Sequence, residues 1–572
     1  MANKTIAGAV LTLLFSMNSS VRAQEPPGGS ECQRLGAHLE AAAQVMPRVA
    51  AATGTDGFRV FREVVAASAR KAGEARLASR VEALEPGKAV NSKSSSLASC
   101  LLRRYLVARY GHRIVTDLQE MVRFRTYAEE GRTNWDAPEF GKQRKWLEEK
   151  AKWLGLQFKS FDGRVEEITL PGPKPILAVL THGDVQDVQG QSWSSPPWEA
   201  KIVDGRIVGR GTEDDKGPIV VTLYAMAALR DTGWPLDWTL RLLVANAEES
   251  SWEEIPYYLE RAPMPDRTLG IDANYPVTHA QKAYGLITFR AQPSEKKGGS
   301  WRVAKMSGGS GNSIIPEGGE ALVEWEGEGT QENLEQLAAR WAAEHPPAKL
   351  TVAREGKLLK LTAAGKGGHT SDPSSGHDAL GDLTAFLSSL DLHLDAWGSL
   401  AKFVGTNVGP ETDGRSLGIA HTHPVMGPMT SVLVFLMEEE GNPAARINIR
   451  VPAGIDQKQI EERVAEKAAA FEGGKIVPAV QLFNQPHLVP TEGELVANLL
   501  AVWEEVTGTP GRPIAIGGGT QARLFKDGID FGPAWPGVPY RGHGTDEYLT
   551  IEELHRIGEL TVAALWRLGA GR

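Results

Sequence analysis

Apolar and polar positions alternate in three different ways along the chain. Near the start, apolar residues recur at helical spacing and predict helices over 35–49, 58–72 and 97–110, with breaks at 53–57 and 85–88. Beyond about residue 113, amphipathic helices over 114–128 and 141–154 give way to short aliphatic runs at 175–180, 238–244, 268–271 and 513–516. A helix over 217–231 separates the first two runs. Continuously apolar strands alternating with helices predict an α/β domain with a mostly parallel sheet covered by helices on both faces. The third pattern occupies 277–483. It has alternating strands such as 321–325 and 446–450, and polar-faced helices over 331–343 and 456–470. This predicts an α+β lid domain inserted into the first. A helix over 494–506 then resumes the sheet-domain pattern. The expected organisation is a helical N-terminal extension over 24–112, a catalytic domain in two parts over 113–276 and 484–572, and the lid between them.

The first 23 residues read as a secretory signal peptide. Lys4 precedes an apolar run over 6–15, and Val21-Arg22-Ala23 places small residues at −3 and −1 of a cleavage site. About ten apolar residues are too few to span a bilayer, which needs roughly 20. Export to the periplasm or medium is therefore expected, with no membrane association after processing.

The 572 residues are enough for several domains, and the net charge of −9 is a poor match for a nucleic-acid binder. The two cysteines, Cys32 and Cys100, are too few for a thiolate metal site. Export permits a disulfide between them; two buried free thiols are the alternative. The Gly-rich stretch at 308–312 lacks the lysine of a phosphate loop and reads as a turn.

Ligand sites in open α/β sheets lie beyond the carboxyl ends of strands. After 175–180 comes Thr181-His182-Gly183-Asp184, after 238–244 comes Ala245-Asn246-Ala247-Glu248-Glu249, and after 268–271 comes Asp272-Ala273. Gly209-Arg-Gly-Thr-Glu-Asp-Asp215-Lys216 precedes the helix near 217, and His543 lies in Tyr540-Arg-Gly-His-Gly-Thr-Asp-Glu547. Carboxylates gathered at one sheet edge repel, and a divalent cation holds them together. Oxygen and imidazole donors without thiolate suit Zn²⁺, Mn²⁺ or Co²⁺, and more than four such donors suggest a two-metal site.

These segments resemble, in order, the co-catalytic metallopeptidase family of aminoacylase-1, carboxypeptidase G, carnosinase and the bacterial dipeptidases. The same resemblance extends to Trp193–Trp198, Gly365-Lys-Gly-Gly-His369-Thr-Ser-Asp-Pro373, Asn448-Ile-Arg450-Val-Pro452 and Gly517-Gly-Gly-Thr-Gln-Ala-Arg523, and covers about residues 115–570. It implies that His182 and Asp272 bind one metal, Glu249 and His543 the other, and that Asp214 bridges. It implies Asp184 as the carboxylate orienting His182, Glu248 as general base and His369 as the donor to a tetrahedral oxyanion. Arg450 and Gly517, Gly518 and Gly519 would hold the substrate's carboxylate. Adjacent Glu248 and Glu249 would point to opposite sides of an extended strand end, leaving one free as base. Ala247 and His377 stand where the family commonly has a polar residue and an asparagine. His421 and His423 have no acidic neighbour in sequence and read as a lid-loop pair.

The long inserted region, the Gly-Gly-Gly-Thr-x-Ala-Arg segment and the His-x-x-Asp-Glu-Tyr ending are most similar to the bacterial dipeptidases. The expectation is an exported zinc dipeptidase acting on small peptides, with a monomer favoured over a dimer. An N-acyl-amino-acid deacylase or carboxypeptidase with the same metal site is the alternative. A non-catalytic peptide-binding protein is the remote one.

Overall fold

The computed structural model describes residues 31–45, 54–293, 298–327 and 333–570. The expected signal segment, 1–23, lies outside the described residues. The described residues divide into two compact units, one of those up to 267, within 494–512 and from 533 onward, and one of those within 268–493 and 513–532.

In the first unit the N-terminal helices pack on the α/β layer. The sequence pattern suggests a break near residue 110, but one 28-residue helix, Ser95–Val122, runs through it. Gly111 sits in that helix because a Cβ there would lie 3.1 Å from the His555 ring, whose Nε2 is 3.1 Å from the Gly111 carbonyl. The same helix donates Tyr105 and Tyr110 hydroxyls to Asp231 at 2.8 and 2.5 Å. Asp231 is near the end of helix Lys216–Thr232, which is buried on nearly every face.

Cys32 and Cys100 are joined by a disulfide with Cα atoms 5.6 Å apart, closing a sequence separation of 68. Constraining a loop of that length in the unfolded chain stabilises the fold by up to about 4 kcal/mol. The Cys32→Ser/Cys100→Ser protein is expected to unfold at clearly lower urea concentration; an unchanged midpoint would show that the bridge adds nothing.

The sheet of this unit contains β1 (Gln157–Phe161), β2 (Val165–Leu170), β3 (Ile176–His182) and β4 (Thr239–Ala245) in the order β1-β2-β4-β3. The β1–β2 and β2–β4 pairs are antiparallel, and β3–β4 is parallel. All seven residues of β3 are buried, as expected of a strand with both faces covered. The parallel register pairs Ile176 with Thr239 and His182 with Ala245, so both strands finish at the same level. The loops after these two strands therefore emerge at one edge.

The second unit begins in β5 (Arg267–Gly270) and β6 (Val277–Gln281). It contains an eight-stranded antiparallel sheet of β7 (Ala283–Ala291), β8 (Trp301–Gly308), β9 (Gly318–Trp325), β10 (Lys349–Glu355), β11 (Leu358–Ala364), β12 (Thr430–Glu439), β13 (Asn442–Val451) and β14 (Ile476–Leu482). The order is β10-β11-β9-β8-β12-β13-β7-β14. Helices Ala379–Ser389 and Ala396–Asn407 cover it through Phe386, Leu400 and Phe403, packed with Ile287, Phe289 and Trp301. Later in the chain β15 (Pro513–Ile516) pairs parallel with β6, and β16 (Ile529–Asp530) pairs parallel with β5. Among the described residues no helix is long and apolar enough to cross a membrane.

Candidate metal centre

His182 ends β3 and is buried. Its Nδ1 lies 3.0 Å from the Asp184 carbonyl and 3.6 Å from the Asp184 carboxylate. Its Nε2 faces Asp214 Oδ1 at 2.8 Å. A proton on Nδ1 bonded to the carbonyl leaves the Nε2 lone pair directed at a carboxylate, which a cation between them would stabilise.

Asp214 lies at the centre of the cluster. Its other oxygen, Oδ2, is 3.0 Å from His543 Nε2 and accepts a hydrogen bond from the Tyr540 hydroxyl. His543 Nε2 is also 2.8 Å from Glu249 Oε1, and Glu249 Oε2 accepts from Gln186 Nε2 at 2.9 Å. Donor atoms of His182, Asp214 and Glu249 all lie within 4.8 Å of one another. Burial alone would raise the Asp214 pKa, yet the facing imidazoles hold it well below the usual carboxylate value. Neither Asp214 nor Glu249 pairs with a lysine or arginine among the described residues. Converging carboxylates and imidazoles with no fixed cation among them fit a divalent metal.

The loops are held by groups that contact the candidate ligands from behind. The Asp184 carboxylate accepts the backbone N–H groups of Glu248 and Glu249 at 3.1 and 3.0 Å. It therefore anchors the Glu pair as well as contacting His182. The pair lies in a turn after β4, not on the extended strand end that alternation suggested. The turn is closed by the Ser250 and Trp252 N–H groups on the Ala247 carbonyl.

Buried Glu547 does the same for Asp214. Its Oε1 accepts the N–H groups of Glu213 and Asp214 at 2.9 and 3.2 Å, and its Oε2 pairs with Arg210 at 2.8 Å. Burial pushes its pKa up to about 7, while Arg210 opposes the shift. Gly542 must be glycine here, since a Cβ would lie 2.9 Å from that of Asp214 and closer still to the Tyr540 hydroxyl. Glu547 and Arg210 fall inside segments that carry the family resemblance, but nothing in their spacing marks them as partners. Gln186 and Tyr540 give no signal in sequence beyond their proximity to His182 and His543.

The remaining candidates lie in the second unit. Asp272 follows β5. Near it Asp530 is buried, held by Gln281 Nε2 at 2.8 Å and by the Thr520 hydroxyl at 3.0 Å. Burial, then the Asp272 charge, pushes the Asp530 pKa up to about 8. Gln281 also accepts the Thr520 N–H at 2.9 Å, which fixes the end of the Gly517–Gly519 turn.

His369 has Nδ1 2.6 Å from the Ser371 hydroxyl and 3.3 Å from the Ser371 N–H. An N–H can only donate, so Nδ1 is the acceptor and Nε2 carries the proton, as a donor to an oxyanion requires. Arg450 on β13 donates to Ser313 Oγ at 2.8 Å and lies over the Tyr284 ring. His377, which stands where the family commonly has an asparagine, pairs with Asp382 at 2.6 Å. His421 contacts the Ala453 carbonyl at 3.0 Å, and His423 Nδ1 accepts the Val425 N–H at 3.1 Å, consistent with a structural pair.

Known proteins resemble this chain in sequence and in fold. The model of peptidase family M20/M25/M40 matches residues 178–567. YtjP of Bacillus subtilis is 31% identical over 419 residues, covering 72% of this chain and 87% of that protein. The Beta-Ala-Xaa dipeptidase of Lactobacillus delbrueckii subsp. lactis is 27% identical over 408 residues, covering 71% of this chain and 84% of that protein. In fold, human carnosine dipeptidase 1 matches with a TM-score of 0.51 at 13% identity, covering 82% of this chain and 98% of that one. The family match spans both units and includes each candidate ligand, from His182 to His543. The chain belongs to peptidase family M20/M25/M40.

Proposed function

We propose that the chain is an exported dipeptidase that uses two divalent cations, zinc being the best fit to its donors. The observation that carries this reading is Asp214, whose two oxygens face His182 on one side and His543 on the other. That is the disposition expected of a shared carboxylate. His182 and Asp272 would hold one cation, and Glu249 and His543 the other. Bound cations would lower the pKa of water toward neutrality and polarise the scissile carbonyl.

The chain's own groups divide the remaining work. Glu248 takes the proton from the attacking water and passes it to the leaving amine. His369 donates its Nε2–H to the tetrahedral oxyanion. Arg450 and the Gly517–Gly519 turn receive the C-terminal carboxylate of the peptide. Asp184 and Glu547 keep the Glu pair and Asp214 in register with the two imidazoles. Export is supported by the N-terminal segment and by the Cys32–Cys100 bridge, which belongs to an oxidising compartment.

The test is a panel of unmodified dipeptides beside their N-acetyl amino-acid counterparts, assayed with added Zn²⁺, Mn²⁺ or Co²⁺. Hydrolysis of the free dipeptides is expected. Turnover of the acylated set alone would make the chain a deacylase, and turnover of neither would remove the enzymatic reading.

A further inference from the structure

The second unit contains two buried cations, Arg450 and Lys282, and a partly buried third, Arg523; among the described residues none of them is held in an ion pair, although the Asp530 charge acts on Arg523. Arg450 Nη2 donates to Ser313 Oγ at 2.8 Å, and its Nε has no acceptor. Arg523, in the turn Gln521–Leu524, donates Nη2 to the Lys282 carbonyl at 2.8 Å, while its Nε and Nη1 have none. Lys282 Nζ donates to the Pro428 carbonyl at 2.5 Å. Each of these acceptors is neutral, and among the described residues none of the three cations forms an ion pair. Arg450 is also close enough to each of the other two to repel it. Burial first, and then the Arg450 charge, lowers the pKa of both Arg523 and Lys282.

Arg523 borders the proposed carboxylate turn, since a Cβ on Gly519 would lie 2.8 Å from its Nη1. Arg450 stands over Tyr284, with the ring 4.7 Å away, and Tyr284 lies near the start of β7, two residues after Lys282. Burying a charge without a counter-ion is costly, and guanidinium groups with vacant donors are suited to carboxylate oxygens. One α-carboxylate offsets only one of the three charges.

We propose that Arg450, Arg523 and Lys282 form a single pocket for a dianionic C-terminal residue, making dipeptides that end in glutamate or aspartate the preferred substrates. The inference rests on the reading that Arg450 and the Gly517–Gly519 turn receive the substrate's carboxylate. Arg450 takes the α-carboxylate, and Arg523 with Lys282 takes the side-chain carboxylate.

The decisive comparison is Ala-Glu against the near-isosteric, uncharged Ala-Gln. A kcat/KM ratio of at least about tenfold in favour of Ala-Glu is expected, as for a site whose donors are left unmatched by the neutral analogue. Arg523→Gln and, separately, Lys282→Gln are expected to collapse that ratio toward 1. Equal rates for the two peptides in the parent protein would overturn the proposal, whatever the variants do. Calorimetric binding of free glutamate and glutamine to the metal-loaded chain separates this idea from the dipeptidase reading. Tighter glutamate binding without hydrolysis of any dipeptide would retain the pocket and remove the dipeptidase reading. Equal binding of the two amino acids would remove the pocket.

Discussion

The Glu248→Ala protein is expected to retain its full complement of cations and to lose at least about 10²-fold in turnover, the range for removal of a general base. The separation of the two effects comes from the proposed division of labour. Glu249, the neighbour, is the residue that faces His543 at 2.8 Å and is fixed on its other oxygen by Gln186. Glu248 has its backbone N–H held by Asp184 and its carbonyl held by the Trp252 indole, so truncating its side chain leaves the turn's anchors in place. Metal content by atomic spectroscopy and steady-state rates on one dipeptide decide the matter. A parental rate would show that the base is another group; loss of metal would make Glu248 a ligand.

Asp214→Asn is expected to lose both metal and turnover. The substitution keeps the shape of the side chain but removes one anionic oxygen from between two imidazoles and the Tyr540 hydroxyl. Cation stoichiometry should fall below two per chain. Turnover should fall by about 10³-fold, which corresponds to the several kcal/mol that metal-assisted charge stabilisation supplies. The fold should persist, because Glu547 grips the backbone of residues 213 and 214 and not the Asp214 side chain. Two tightly held cations in this variant would mean that Asp214 is not shared.

The strand ends were the legible part of this molecule. An aliphatic run followed by His182-Gly-Asp184, and another followed by Glu248-Glu249, can be read without any knowledge of pairing. The parallel register that sets His182 beside Ala245 then brings both to one edge. His543 was legible through the family resemblance of the segment around it. The supporting contacts were not legible, because each is a pairing between distant segments. Glu547 meets Asp214 across 333 positions, and Thr520 meets Gln281 across 239. No local pattern carries such information. The same reason accounts for the unbroken helix Ser95–Val122, where Gly111 reads locally as a break but its missing side chain makes room for the His555 ring. Alternation also misjudged the Glu pair, since the backbone leaves the strand at Asn246 and the Asp184 carboxylate shapes the turn beyond it.

The buried cations of the second unit show a further limit of sequence reading. Arg450 and Arg523 both lie in segments that carry the family resemblance, whereas Lys282 acquires meaning only from its burial and from the neutral carbonyl it bonds. A dipeptidase with such a pocket would distinguish substrates by the charge of the C-terminal residue.

Cation dependence is the property on which the proposed chemistry stands most directly. Protein stripped of metal by a chelator can be titrated with Zn²⁺, with binding measured by calorimetry and hydrolysis of a dipeptide measured in parallel. The prediction is two sites per chain, no turnover in the stripped protein and full turnover when both sites are filled. Undiminished hydrolysis by the metal-free chain would contradict it.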